Sequence, residues 1–165
     1  CWIGRSRESC KMEITDYERE FVVRTQAILQ NYDGEYKLTN AINCMLGLII
    51  LPNEMLNRSQ SPKWAMTIEE IQELNFLRIR QFEPIKGRNR DTGELEYYSK
   101  TLKVFLKKVR NGLAHQNVRP INTDGFFTGI EIKNRHGNIV DLEVEFSRHE
   151  LEQFALFIAG EYLVG

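Results

Sequence analysis

Apolar residues recur at helical spacing from about Asp16 to Tyr32, where Tyr17, Phe21, Ile28 and Tyr32 share a stripe that Val22 and Leu29 widen. Thr15 or Asp16 can cap its start, and Gly34 lies just past its end. A second helix is expected from about Leu38 to Leu51. It is apolar on nearly all sides and is stopped by Pro52, which suits the middle of a bundle. The stretch Asn57 to Met66 reads as a loop, and Thr67 with Glu70 three residues on predicts a capped short helix to about Leu77. Lys86 to Glu96, with its glycines, charges and Asp91-Thr92-Gly93 turn, is the least ordered-looking part. Ser99 can cap the next helix, which presents Leu102, Phe105, Leu106, Val109 and Leu113 to a core and ends before Pro120.

The period then changes from helical to alternating. Phe126 to Asn134 and Ile139 to Phe146 are rich in β-branched and aromatic residues, with Arg135-His136-Gly137-Asn138 between them as a turn. In the second run Val140, Leu142, Val144 and Phe146 oppose Asp141, Glu143 and Glu145, which implies one buried and one wet face. Ser147 and Glu150 form a second capping box, opening a final helix through Leu151, Phe154, Ala155, Ile158 and Tyr162. The expected fold class is mainly α: a helical bundle with a β-hairpin, about residues 126–146, inserted before the last helix.

Composition narrows the class of molecule. The chain has 165 residues, 42% hydrophobic and 27% charged, the size and balance of one folded domain. Residues 1–11, which contain Cys1 and Cys10, read as an expression remnant or an upstream extension, leaving one domain over residues 12–165. Three cysteines without CxxC spacing argue against a disulfide scaffold or a zinc site and fit a reducing, cytoplasmic setting. The longest apolar run, Ala41 to Leu51, falls short of the ~20 residues a membrane span needs. No membrane partner is expected.

Net charge is -1, so a nucleic-acid footprint must come from local clustering. Residues 86–120 hold nine basic side chains against three acids, which leaves the rest of the chain acidic. Lys100, Lys103, Lys107 and Arg110 are spaced to share one helix face, with Lys108 beside them. Such a stripe suits a polyanion, and equally an ordinary solvated face.

The stripe runs into Val109-Arg110-Asn111-Gly112-Leu113-Ala114-His115. Here the chain resembles the HEPN superfamily (higher eukaryotes and prokaryotes nucleotide-binding), whose ribonuclease members carry Arg, four to six residues, then His, often with a polar residue after the Arg. The early segments Phe21 to Thr25 and Ile42 to Leu48 also look like bacterial members. The resemblance implies a helical bundle that forms a homodimer with two motifs facing each other, RNA as substrate and no metal or other cofactor. It also implies a toxin or antiviral defence effector, with an antitoxin or regulatory protein as a possible partner. The hairpin is not a hallmark of the family.

The motif's residue types suit RNA cleavage by the 2′-hydroxyl, which leaves a 2′,3′-cyclic phosphate and a 5′-hydroxyl. Histidine serves proton transfer near neutral pH, so His115 is the expected general acid/base. Arg110 offers a planar cationic fork to phosphate oxygens, and Asn111 an orienting hydrogen bond. Lys100, Lys103, Lys107 and Lys108 are the expected RNA contacts. Arg110 points away from His115 if the helix persists, so either Gly112 loosens it or a partner subunit contributes. The structural alternatives are a helix-end histidine, an exposed ion pair at Arg110 and a helix-end asparagine.

Other sites are weakly marked. His136 and His149 lack metal-ligand spacing, and neither a phosphate loop nor a nucleophile elbow is present. Trp64 is expected to pack on the core, and Tyr97 and Tyr98 to pack or to stack on bases. Asn57-Arg58-Ser59 is a sequon with no sign of secretion beside it. Three readings remain: a metal-independent endoribonuclease, a non-catalytic dimer that binds a nucleotide, RNA or a protein, and a structural or adaptor domain whose hairpin edge recruits another chain.

Overall fold

The computed structural model describes residues 17–50 and 59–164. The expectations for residues 1–11, the Thr15/Asp16 cap, the Pro52 stop and Asn57 of the sequon lie outside the described residues. Four α-helices occur among those described: α1 (Tyr17–Asn31), α2 (Lys37–Ile50), α3 (Leu102–Ala114) and α4 (Arg148–Tyr162). The described strands are β1 (Arg78–Phe82), β2 (Ile85–Arg88), β3 (Leu95–Tyr97), β4 (Val118–Thr123), β5 (Phe126–His136) and β6 (Ile139–Ser147). An antiparallel sheet runs β1-β6-β5-β4, and β2 pairs with β3 as a separate ribbon.

This architecture corrects the expected mainly α bundle. The β5–β6 hairpin forms, but as the centre of a four-stranded sheet, so the fold is α+β. The flanking strands escape a reading by periodicity because both are polar edges. β1 carries Arg78 and Arg80, and β4 carries Pro120, which an edge strand tolerates where a central one does not. Their form comes from pairing with apolar neighbours rather than from their own alternation. The expected helix from Thr67 is two short 3-10 turns, Ile68–Glu70 and Gln72–Leu74, although the Glu70 carboxylate does accept the Thr67 N–H at 2.7 Å. Lys86 to Glu96 is mostly the β2–β3 ribbon, turned by Asn89, whose side-chain oxygen accepts the N–H groups of Asp91 and Thr92. The cap of α3 is Thr101, accepting from Val104 at 3.4 Å, and not Ser99.

The helices cover one face of the sheet. α3 and α4 lie on β5 and β6, α2 packs on both of them, and α1 packs on α2 and α4. A chain of rings spans the layers: Phe82 meets Phe105 at 5.3 Å, Phe105 meets Phe154 at 5.8 Å, and Phe154 meets Phe146 at 5.5 Å. Helix α1 is rotated from its expected stripe. Val22 and Thr25 are buried, whereas Tyr17 and Ile28 face solvent. Trp64 packs at 5.0 Å from Tyr162 and donates to Ser59 Oγ. The other face of the sheet carries ion pairs, Arg80 with Glu143 and Glu145 and Lys133 with Glu143 across strands, and Lys133 with Glu131 along β5. No helix among the described residues is long and apolar enough to cross a membrane.

Asp141 breaks the expected wet face of β6. The register slips between Asn134↔Leu142 and Arg135↔Val140, leaving Asp141 without an opposite number, and this bulge turns its side chain inward. There it is fully buried and is bonded by Lys108 Nζ at 2.5 Å, Asn134 Nδ2 at 2.5 Å and the Ile85 N–H at 3.2 Å.

Candidate active site

Helix α3 carries the motif, and its C-terminus is closed by the backbone. The Gln116 N–H bonds Leu113 O at 3.1 Å and the Asn117 N–H bonds Gly112 O at 2.9 Å, the paired bonds of a Schellman cap. That cap requires a left-handed residue, and Gln116 supplies it at φ 55°. Asn117 O then accepts the Lys133 N–H at 3.0 Å, fixing the turn to β5 before the chain enters β4. Gly112 does not loosen the helix, which continues to Ala114. Its role is close approach: a Cβ there would lie 2.5 Å from Lys133 O and 2.8 Å from Ile132 Cγ2.

His115 is therefore the capping residue directly after the helix, with its N–H on Asn111 O at 3.0 Å and its side chain exposed. Asn111 lies one turn before it on the same side and is half-buried. Arg110 sits about 140° from His115 around the axis at 3.6 residues per turn. It points instead into a groove of about 410 Å³ between α2 and α3, lined also by Leu46, Ile49, Leu113 and Ala114. The Arg110 guanidinium has no ion-pair partner among the described residues. One copy of the chain thus brings Asn111 and His115 to one side and aims Arg110 at another.

The four lysines separate. Lys103 and Lys107 are exposed on α3 and lead toward Arg110, with the Lys107 ammonium 5.2 Å from the Tyr98 ring centroid. Lys100 precedes the helix and pairs with Glu83. Lys108 is buried on Asp141 and also donates to Ile85 O at 2.8 Å, so it is closed to a ligand. Helical spacing sets Lys108 off the Lys103, Lys107 and Arg110 face, three residues from buried Phe105 and four from buried Gly112.

Among the described residues no group of three His, Cys, Asp or Glu side chains could hold a metal ion. Cys44 is buried in α2, and burial pushes its thiol pKa up, away from thiolate chemistry. Gln116 was invisible to sequence reasoning as a cap, because glutamine is not a usual left-handed residue.

A family profile described as HEPN pEK499 p136 matches residues 6–164, nearly the whole chain. No curated protein and no solved structure matches it. The profile spans both the helix-borne motif and the sheet that braces it, and the chain belongs to the HEPN family described as pEK499 p136.

Proposed function

We propose that this HEPN domain is a metal-independent endoribonuclease of the Arg-x4-His type. The observation that carries the reading is the end of α3, where the cap exposes His115 while Arg110, without an ion-pair partner among the described residues, lies in a groove one helix face away. In the reaction a base removes the 2′-hydroxyl proton, and the 2′-oxygen attacks phosphorus. The bond to the 5′-oxygen then breaks as that oxygen takes a proton. His115 transfers protons, Arg110 stabilises the charged phosphorane, and Asn111 orients the phosphate or the imidazole. One imidazole cannot take a proton and give another in the same step. Two copies in a homodimer supply both, and they also let Arg110 of one chain face His115 of the other. Lys103 and Lys107 guide the RNA backbone along α3. A toxin or defence role, and control by an antitoxin or regulatory protein, would follow from such an activity in a cell.

The test is the chemistry of the fragment ends. Cyclic phosphates and free 5′-hydroxyls, which accept phosphate from a polynucleotide kinase without prior treatment, are the expected products. Fragments with 5′-phosphates and 3′-hydroxyls would overturn the mechanism. The second reading, a non-catalytic dimer that binds nucleotide, RNA or protein, is favoured by the angular separation of Arg110 and His115 within one chain. It predicts RNA binding without new ends.

A further inference from the structure

Two strongly exposed aromatic side chains share a cleft that none of the motif residues lines. Phe126 is 74% and Tyr36 67% exposed, the two highest values among the described large hydrophobic residues, and Phe127 is 54% exposed. Tyr36 directly precedes α2, and Phe126 and Phe127 open β5. Tyr36 and Phe127 line one cleft of about 340 Å³, together with the cations Lys37 and Arg148 and a single acid, Glu35. Lys37 has no ion-pair partner among the described residues, and Arg148 reaches Glu152 only at 3.9 Å.

The hairpin that presents the phenylalanines is braced. Asp124 and Gly125 turn it with φ 51° and 83°, the left-handed pair of a tight hairpin turn. Thr123 and Thr128 share a hydroxyl bond of 3.1 Å, and Thr128 Oγ1 donates to Ile121 O at 3.1 Å. Large apolar side chains held rigidly in water mark a contact surface rather than a loose tip.

We propose that this cleft is a contact for single-stranded RNA, with an unpaired base stacked on Tyr36 and Phe127 and its phosphates met by Lys37 and Arg148. The proposal rests on the RNA-directed reading of the motif and adds a second point of attachment to it. The cations decide between occupants. An apolar protein anchor would desolvate Lys37 and Arg148 against one glutamate, whereas a nucleotide brings a π-face for the rings and negative charge for both cations. A duplex is excluded because its bases are already stacked. Strand β4 joins the α3 cap to this hairpin, and its six residues span about 20 Å. An RNA held in the cleft and cut at the motif must bridge that distance.

The experiment measures binding of labelled oligouridylate, and of an RNA duplex of equal length, to full-length His115→Ala protein, which holds the RNA uncut. Adding Tyr36→Ala or Phe127→Ala should weaken oligouridylate binding about tenfold each and leave the duplex affinity unchanged. Replacing Lys37→Gln and Arg148→Gln together should reduce the salt slope of binding by about 1.4. Unchanged oligouridylate affinity in both aromatic variants would overturn the proposal. So would unchanged affinity accompanied by loss of self-association, which would make the cleft a protein interface. Cleavage by the wild-type protein is scored separately: cutting with unaltered variant affinity sinks only the cleft, and weakened binding without any cutting sinks only the nuclease.

Discussion

Gly112 decides how closely α3 lies on β5, and Gln116 decides where α3 stops. The first position has no room for a methyl group against the Lys133 carbonyl, so Gly112→Ala must push the helix outward. We expect a loss of about 1–3 kcal/mol, seen as a lower urea midpoint. Gln116 instead holds a left-handed conformation that costs a non-glycine residue free energy. Gln116→Gly should raise stability by roughly 0.5–1 kcal/mol, after allowing for the greater freedom of glycine in the unfolded chain. A rise for Gly112→Ala, or a fall for Gln116→Gly, would contradict this account of the motif's support. The Arg110, Asn111 and His115 pattern that pointed to the family was legible in the sequence, because side chains carry it. Its support was not, because a Schellman cap is built from backbone bonds that any residue can make.

Elements divide along the same line. The β5–β6 pair and α4 announce themselves, the first by alternation and the second by the Ser147–Glu150 box, in which Ser147 N–H meets Glu150 at 2.6 Å. β1 and β4 do not, since an edge strand with two arginines or a proline acquires its form from its partner. The charge count misleads in one place. Lys108 looks like part of the basic stripe but ties α3 to β6 and β2 through Asp141 and Ile85. Lys108→Met leaves Asp141 buried without its cation, and the expected cost is about 3–5 kcal/mol, with a large drop in melting temperature. Adding Asp141→Leu to Lys108→Met should recover much of the loss, since the lone buried carboxyl is then gone. If Lys108→Met melts like the wild type and binds RNA less well, the residue belongs to the RNA face after all.

At the scale of the whole molecule, the proposed function needs what one chain cannot do alone. Arg110 and His115 diverge within a copy, and the groove holding Arg110 is otherwise lined by apolar side chains of α2 and α3. A second copy seated there would cover that apolar surface and bring the two motifs together. Leu46→Glu, which places a charge in the groove, should convert a dimer to monomers in sedimentation and lower RNA cleavage by about 10²-fold or more. A monomeric variant with full activity would remove the dimer from the mechanism. The most direct measurement is the rate at which purified protein cuts single-stranded RNA in excess EDTA, with His115→Ala measured beside it. The expected result is EDTA-resistant cutting that falls by about 10²–10⁴-fold in the variant. Equal rates from the two proteins, or cutting that EDTA abolishes, would contradict it.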